Sequence, residues 1–470
     1  MADSAAAKLW GGSGIASRLW SPLALLAEGW ARDVAIEING DGLISCIRPN
    51  AEPAGQRVGI LLPAPANAHS HSFQRAMAGL FESRGTRSGD SFWTWRKLMY
   101  RFLDQLDPGQ MRAIAALAQM EMLESGYASC AEFHYVHHQP GGKPYRRLSE
   151  MAEKIVAAAD QTGIGLTLLP VQYHRGGCDG RKLDYGQTRF GNSLERFSLL
   201  VEECRDAINA LPEDSLLGIA PHSLRAVDTK DIIEALELAG DGPIHMHLAE
   251  RDSEVREVEE AYGCRPVQLA LEKLPLCKDW CLVHCTQMLA RETIGLASTG
   301  AVAGLCPVTE SNLGDGIFDG VNWFRSGGRM AVGTDSNIRI SLCEELRTLE
   351  YSQRLRDRTR AALATLEHSS AGRSSFEAAC LGGAMALKRP SGKIEPGRLA
   401  DLMTLDDSHI NLIGRSGDRC LDGWIFAGSD EMVMDVWSAG RHVVKNGVHV
   451  RRETIRNDYI KTVKSLGDAL

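Results

Sequence analysis

The stretch "GILLPAPANAHSHSFQRAM", residues 59–77, decides how the rest of the chain is read. Its first half is an apolar run of the kind that forms a buried strand. Residues i and i+2 of a strand share a face. His69 and His71 therefore point the same way, at the place where the strand ends. Two imidazoles converging from one strand end are half of a metal site. The plainer reading is a pair of surface loop histidines, and an isolated His-x-His favours it. The remainder of the chain decides between them.

Composition sets the frame. The 470 residues suffice for a large core and more than one domain. Apolar residues make up 44% and charged residues 24%, as in an ordinary globular protein. Net charge is −8 with no basic block, which argues against nucleic acid as a partner. The start, "MADSAAAKLWGGSG", lacks a charged segment followed by an apolar core, and no apolar run matches a bilayer. The expectation is a cytoplasmic protein with no membrane partner. The 12 cysteines contain no Cys-x-x-Cys pair. Cys277, Cys281 and Cys285 follow one another in "CKDWCLVHC", but an extended segment holds them too far apart to chelate together. Reduced, buried thiols are the expectation.

After Ala66 the chain alternates. Strand-like runs are "LLPAPANAHSH", "ASCAEFHY", "GLTLLPVQYH", "SLLGIAPHSL", "PIHMHLAE", "WCLVHC", "AVAGLCP" and "RMAVGTD". Helical stretches separate or follow most of them. "PGQMRAIAALAQMEMLESG" has Asp107 to cap it, Pro108 in its first turn and Gly126 at its end. Met111, Ile114, Ala118 and Met122 fall on one face of it. Eight strand–helix units predict an α/β fold, a closed (β/α)8 TIM barrel. An open doubly wound sheet is the alternative, but no Gly-x-Gly-x-x-Gly or Walker sequence supports a nucleotide crevice. Short strands flank the repeat. "DVAIEINGDGLISCIRP" turns at Asn39–Gly42, and "GKIEPGRLADLMTLD" and "VMDVWSAGRHVVKNGVHV" lie near the other end. Residues 1–65 and 391–470 are read as the two parts of a small β-sandwich domain, with the barrel, 66–390, inserted between them.

In such a barrel function collects at the C-terminal ends of strands. The first delivers His69 and His71, the second Glu132, His134 and Tyr135, and the fourth His222 with Arg225. The fifth delivers His245 and His247 with Glu250 beyond, the sixth His284 and the eighth Asp335. A lone strand histidine is usually a satisfied core residue, and an Asp after a strand is often a helix cap. Jointly those readings require chance to fill four strand ends of one barrel. Imidazoles plus one carboxylate, with a position left for water, describe a catalytic zinc or similar divalent site. Such an ion brings the pKa of bound water towards ~7, and a nearby carboxylate such as Glu250 can move protons.

"NAHSH", "HMHLAE", "LVHC" and "GTD", in that order, resemble the amidohydrolase superfamily, as do the split β-domain and "GRLADLMTLD". Within it, "HSHSFQRAMAGL", "SFWTWRKLMYR", "AEFHYVHH", "PHSLRAV", "ESNLGDGIF" and "EELRTLEYSQRLRDR" resemble the formimidoylglutamate deiminases. The resemblance implies one Zn2+ per chain on His69, His71, His247 and Asp335. It implies Glu250 and His284 as proton-handling and hydroxide-orienting residues, with Asp335 also accepting a proton. It implies Gln74, Arg96, Tyr135, His222 and Arg225 around the substrate's glutamate portion. One departure is visible: "SNIRI" has Asn337 where relatives often carry His. His245 and Glu132 receive no role, and His245 is expected to alternate away from the metal.

The expected activity is hydrolysis of N-formimino-L-glutamate to N-formyl-L-glutamate and ammonia in histidine breakdown. The partner is then a small dicarboxylate substrate, with Arg96 and Arg225 pairing its carboxylates. A homodimer is the expectation by base rate. The rival enzyme is a deaminase of an aromatic amine such as guanine, but a flat, weakly charged ring gives no reason for two arginines. A non-catalytic binding relative is the other rival, and it should have lost ligands or the acid. The segment Trp93–Arg96 is a candidate lid or wall.

Overall fold

The computed structural model describes residues 17–80, 82 and 92–467, apart from the side chains of 92–97. Arg96 and the lid reading of Trp93–Arg96 lie outside those described side chains.

The eight expected strands form the barrel. In order they are Ala66–Ser70, Ser129–His134, Gly165–Gln172, the two short pieces Leu216–Leu217 and Ala220–Pro221, then Ile244–Leu248, Trp280–His284, Val302–Leu305 and Arg329–Val332. Neighbours run parallel within each half. Two parallel bridges join the halves, Ile219 to Ile244 and Ser70 to Asp335, and so close the ring. Most strand residues are buried, as expected when helices cover the outer face. The helix Pro108–Glu124 begins as its sequence predicts. Asp107 Oδ1 accepts from Gln110 N (2.8 Å) and Gln110 Oε1 from Asp107 N (2.9 Å), a reciprocal cap that satisfies two donors at the helix start.

The fourth strand is broken, where its sequence reads as one. A Cβ on Gly218 would lie 2.3 Å from the Pro243 carbonyl oxygen. Only glycine allows the chain to pass there, and Pro221 has no N–H for a ladder.

The outer segments build one nine-stranded mixed sheet. Ser17–Leu26 and Gly29–Ile38 form a hairpin, and Gly29–Ile38 pairs onward with Ile44–Arg48 around the Asn39–Gly42 turn. Ile60–Pro63 lies between Ser17–Leu26 and Leu402–Leu405, which joins the two ends of the chain. The meander Val433–Ser438, Arg441–Lys445, Val448–His449 completes it. Leu19, Val34, Ile36, Leu61, Leu402 and Trp437 share a core separate from that of the barrel.

Buried ion pairs lock the sheet to the N-terminal end of the barrel. Arg389 Nε lies 2.6 Å from Asp401 Oδ2 and its Nη2 2.9 Å from Asp214 Oδ2. Arg441 grips the same Asp214 with two bonds of 2.7 Å. No described helix is long and apolar enough to cross a membrane. All 12 cysteines are free thiols.

Candidate active site

His69, His71, His247 and Asp335 converge at the C-terminal mouth of the barrel, buried, each with one ligand atom within 4.8 Å of the others. His69 Nε2 lies 3.2 Å from His71 Nε2, 3.1 Å from His247 Nε2 and 3.4 Å from Asp335 Oδ1. Two backbone carbonyls set the tautomers. His71 Nδ1–H donates to Phe133 O (2.9 Å) and His247 Nδ1–H to His222 O (3.0 Å). A carbonyl only accepts, so both Nε2 atoms carry lone pairs aimed inward. With the Asp335 carboxylate they form a cradle of acceptors, and a divalent cation fits it.

Burial drives His69 down to about 3 and, with its neighbouring imidazoles, His247 well below the ordinary range. Burial opposes charge on Asp335 as well, but its contacts with His69 and His71 prevail and hold it far below the usual carboxylate range. Neutral imidazoles around an ionised carboxylate are the forms a metal requires.

The strand ends are bent to aim these groups. Ala249, His284, Cys285, Asp335 and Asn337 all have positive φ, between 42° and 72°. Non-glycine residues adopt that region at a cost and concentrate at functional sites when they do. Close approach helps: a Cβ on Gly333 would lie 2.7 Å from His69 N. Thr334 N and Asp335 N both donate to His69 O. Asn337 ties the same turn down. Its Nδ2 donates to Ser70 Oγ (3.1 Å) and Asp335 O (3.3 Å), and its Oδ1 accepts from Thr334 Oγ1 (2.6 Å).

His284 Nε2 faces Asp335 Oδ2 at 3.9 Å, and its Nδ1 meets Glu310 Oε1 at 3.2 Å. Burial disfavours its cation, but Glu310, Glu250 and Asp335 outweigh that and push it up to about 10. Glu250 lines the same cleft, which encloses about 660 Å³ with its mouth included. Arg251 Nε donates to Glu250 Oε1 (3.2 Å), and Arg225 Nη2 stands 4.0 Å from Glu250 Oε2.

Gln74, Tyr135, His222 and Arg225 also line the cleft. Gln74 Nε2 donates to the Tyr135 hydroxyl (2.9 Å), and the His222 ring packs edge-on against Tyr173. Arg225 Nε is buried without a hydrogen-bond partner among the described residues.

His245 points away, as expected, with Nε2–H on Ala386 O (2.7 Å). Glu132 supports the first ligand loop: its Oε1 accepts from Ser72 N (2.8 Å). Sequence reasoning passed over four residues that shape the site: Tyr173, Glu310, Arg251 and Asp315. Arg251 Nη2 lies 2.7 Å from Asp315 Oδ1. Burial and the charge of Glu250 push Asp315 up to about 8. "ESNLGDGIF" contains Glu310 and Asp315, but nothing local in it marks what they touch.

Comparison with known proteins agrees with this geometry. Residues 60–443 match the model of the amidohydrolase family, and residues 20–57 match "Formimidoylglutamate deiminase HutF, N-terminal domain". The chain is 44% identical over 455 residues to the formimidoylglutamate deiminase of Pseudomonas aeruginosa, covering 96% of this chain and 100% of that one. A crystal structure of an amidohydrolase from Brucella melitensis superposes with a TM-score of 0.91 at 43% identity, over 96% of this chain and 99% of that one. An adenosine deaminase from Xanthomonas campestris, solved with bound zinc, shares the fold with a TM-score of 0.77 at 21% identity, over 95% and 98% of the two chains. The chain belongs to the amidohydrolase family and, within it, groups with the formimidoylglutamate deiminases.

Proposed function

We propose that this chain hydrolyses N-formimino-L-glutamate to N-formyl-L-glutamate and ammonia, a step of histidine breakdown. Full-length similarity to a formimidoylglutamate deiminase supports the reading. The observation that carries it in the site is Arg225, a partly buried guanidinium lining the cleft beside Glu250 and open to a substrate carboxylate. Guanidinium and carboxylate match in shape and charge. An uncharged purine offers no partner for it.

His69, His71, His247 and Asp335 would hold one zinc ion. When bound, it supplies Lewis acidity and makes hydroxide available near neutral pH. The chain's own groups do the rest. Asp335 accepts the proton of the attacking water. His284, cationic and oriented by Glu310, steadies the attacking oxygen and the tetrahedral carbon. Glu250 relays the water's two protons, one taken over from Asp335 and one from the new hydroxyl, to the terminal nitrogen of the formimino group. The bond from carbon to that nitrogen breaks, ammonia departs, and the carbon keeps the oxygen as a formyl group. Gln74, Tyr135, His222, Arg225 and Arg96 hold the glutamate portion. Free thiols throughout suit a reducing compartment, and we place the enzyme in the cytoplasm. A homodimer is proposed on base rate.

Ammonia release from N-formimino-L-glutamate, measured beside guanine, tests the reading. Turnover of the first and none of the second is expected. The reverse would make the chain an aromatic-amine deaminase, and neither would make it a binding relative.

A further inference from the structure

Glu250 is gripped from behind by a residue that does not line the cleft. Arg251 Nε donates to Glu250 Oε1 (3.2 Å), and the far side of the same guanidinium, Nη2, lies 2.7 Å from Asp315 Oδ1. Arg251 is absent from the cleft wall, and its side chain is only 14% exposed. Asp315 is still more enclosed, at 1%. Its backbone is pinned, N to Glu310 O (2.9 Å) and O to Gln287 Nε2. Glu310, five residues earlier on the same segment, accepts from Cys306 N (2.9 Å) and meets His284 Nδ1. One short stretch after the seventh strand, Glu310–Asp315, thus reaches both proton-handling side chains. It touches His284 directly and Glu250 through one arginine.

The loop of Glu250 is braced in a second way. Glu254 accepts from Ala249 N (3.2 Å) and Glu250 N (2.9 Å), which fixes the backbone but leaves the Glu250 side chain free to rotate. Arg225 approaches Oε2 only at 4.0 Å and lines the cleft. Arg251 is therefore the group that sets the direction of the Glu250 carboxyl. Shared between two carboxyl groups, its guanidinium cannot swing fully towards either.

We propose that Asp315 and Arg251 are positioning residues for Glu250: Asp315 holds Arg251, and Arg251 aims the Glu250 carboxyl at the reacting nitrogen. This rests on Glu250 being the proton carrier proposed above. A proton carrier displaced by about 1 Å can lose ~10²-fold in rate.

The test compares E250Q, R251M, R251K, D315N and the double variant R251M/D315N. Each is assayed for ammonia release from N-formimino-L-glutamate, metal content and melting temperature. R251M should lower kcat by about 10–100-fold with KM changed by less than about threefold, because the arginine touches the carboxyl rather than the substrate. R251K should recover part of that loss. R251M leaves the enclosed Asp315 carboxyl without its partner and should melt lower. Adding D315N should restore melting but not kcat, and the double variant should be no slower than R251M alone, since the two act as one unit. Losses in kcat that multiply would overturn the relay from Asp315 through Arg251. So would R251M turning over normally with full metal while E250Q is inactive, and in that case the reading of Glu250 survives. Normal turnover by E250Q would overturn both.

Discussion

Arg225 carries its charge with about a fifth of its side chain exposed. Its nearest described acid, Glu250, stands off at 4.0 Å. Glu254 and Glu250 favour its charge, but no described carboxylate oxygen comes closer than that, and the proposed substrate has carboxylates to give it. R225M should lower kcat/KM for N-formimino-L-glutamate by at least about 100-fold, at ~1.4 kcal/mol per tenfold. Metal content and melting should be unchanged. N-formimino-L-aspartate, one methylene shorter, should lose a similar factor with the unmodified enzyme, because stem length sets where its charge falls. An arginine that served only to neutralise Glu250 would show its loss as a lower melting temperature at intact kcat/KM. The four residues of the candidate metal cradle were legible in the sequence because His69 and His71 obey the two-residue period of a strand and close an apolar run. Asp335 and His247 also sit at strand ends. Glu310, Arg251 and Asp315 were not legible. The contacts that place them cross between loops, His284 with Glu310 over 26 residues and Arg251 with Asp315, and no local period encodes a tertiary contact.

At the scale of the element, strand positions were readable and strand ends were not. The eight apolar runs are all present, since burial on both faces demands them. The break at Gly218 and the left-handed residues after strands five, six and eight answer to close approach between neighbouring chains, which propensity does not register. The turn after the eighth strand shows what such ends cost. Asn337 is fully buried at φ 54° and bonds to Ser70, Thr334 and Asp335. N337A should destabilise by about 4–5 kcal/mol, from three hydrogen bonds worth ~1 kcal/mol each and a left-handed residue costing ~1–2 kcal/mol. It should also weaken metal binding by about 10–100-fold, because the turn presents Asp335. N337G should regain the backbone share of the stability and none of the metal affinity. Denaturant titration and competition with a chelator separate the two effects.

Across the whole molecule, the junction between barrel and sheet depends on charge. Burial opposes ionisation of Asp214, but Arg389 and Arg441 prevail and bring it down to about 2 from an ordinary 3.8. A lowered carboxylate pKa stabilises the fold above the unfolded value and ceases to do so as pH falls through the folded one. The contribution, about 2 kcal/mol, should be complete above pH ~4 and vanish towards pH ~2. D214N should remove that acid-side slope and cost about 3 kcal/mol at neutral pH, where Arg389 and Arg441 lose a shared partner. Denaturant unfolding at several pH values, variant against parent, reads both. The metal acts at the opposite end of the barrel. One tightly held ion per chain is expected by elemental analysis. Its removal by a chelator should abolish turnover and lower the melting temperature, because the ion binds only the folded state. Two tightly held ions per chain would contradict the single cradle of His69, His71, His247 and Asp335.

The sheet made from both ends of the chain also dictates an order of birth. Leu61 and Thr404 are register partners, yet the whole barrel is translated between them. At ~5–20 residues per second that interval is roughly 20–70 s on the ribosome. Throughout it Ile60–Pro63 presents an apolar edge with no strand to pair, the kind of edge that recruits strangers. The barrel can close around its own core meanwhile, but the small sheet cannot. Nascent chains halted before Leu402 should therefore need a chaperone to stay soluble, while the released full-length chain should not.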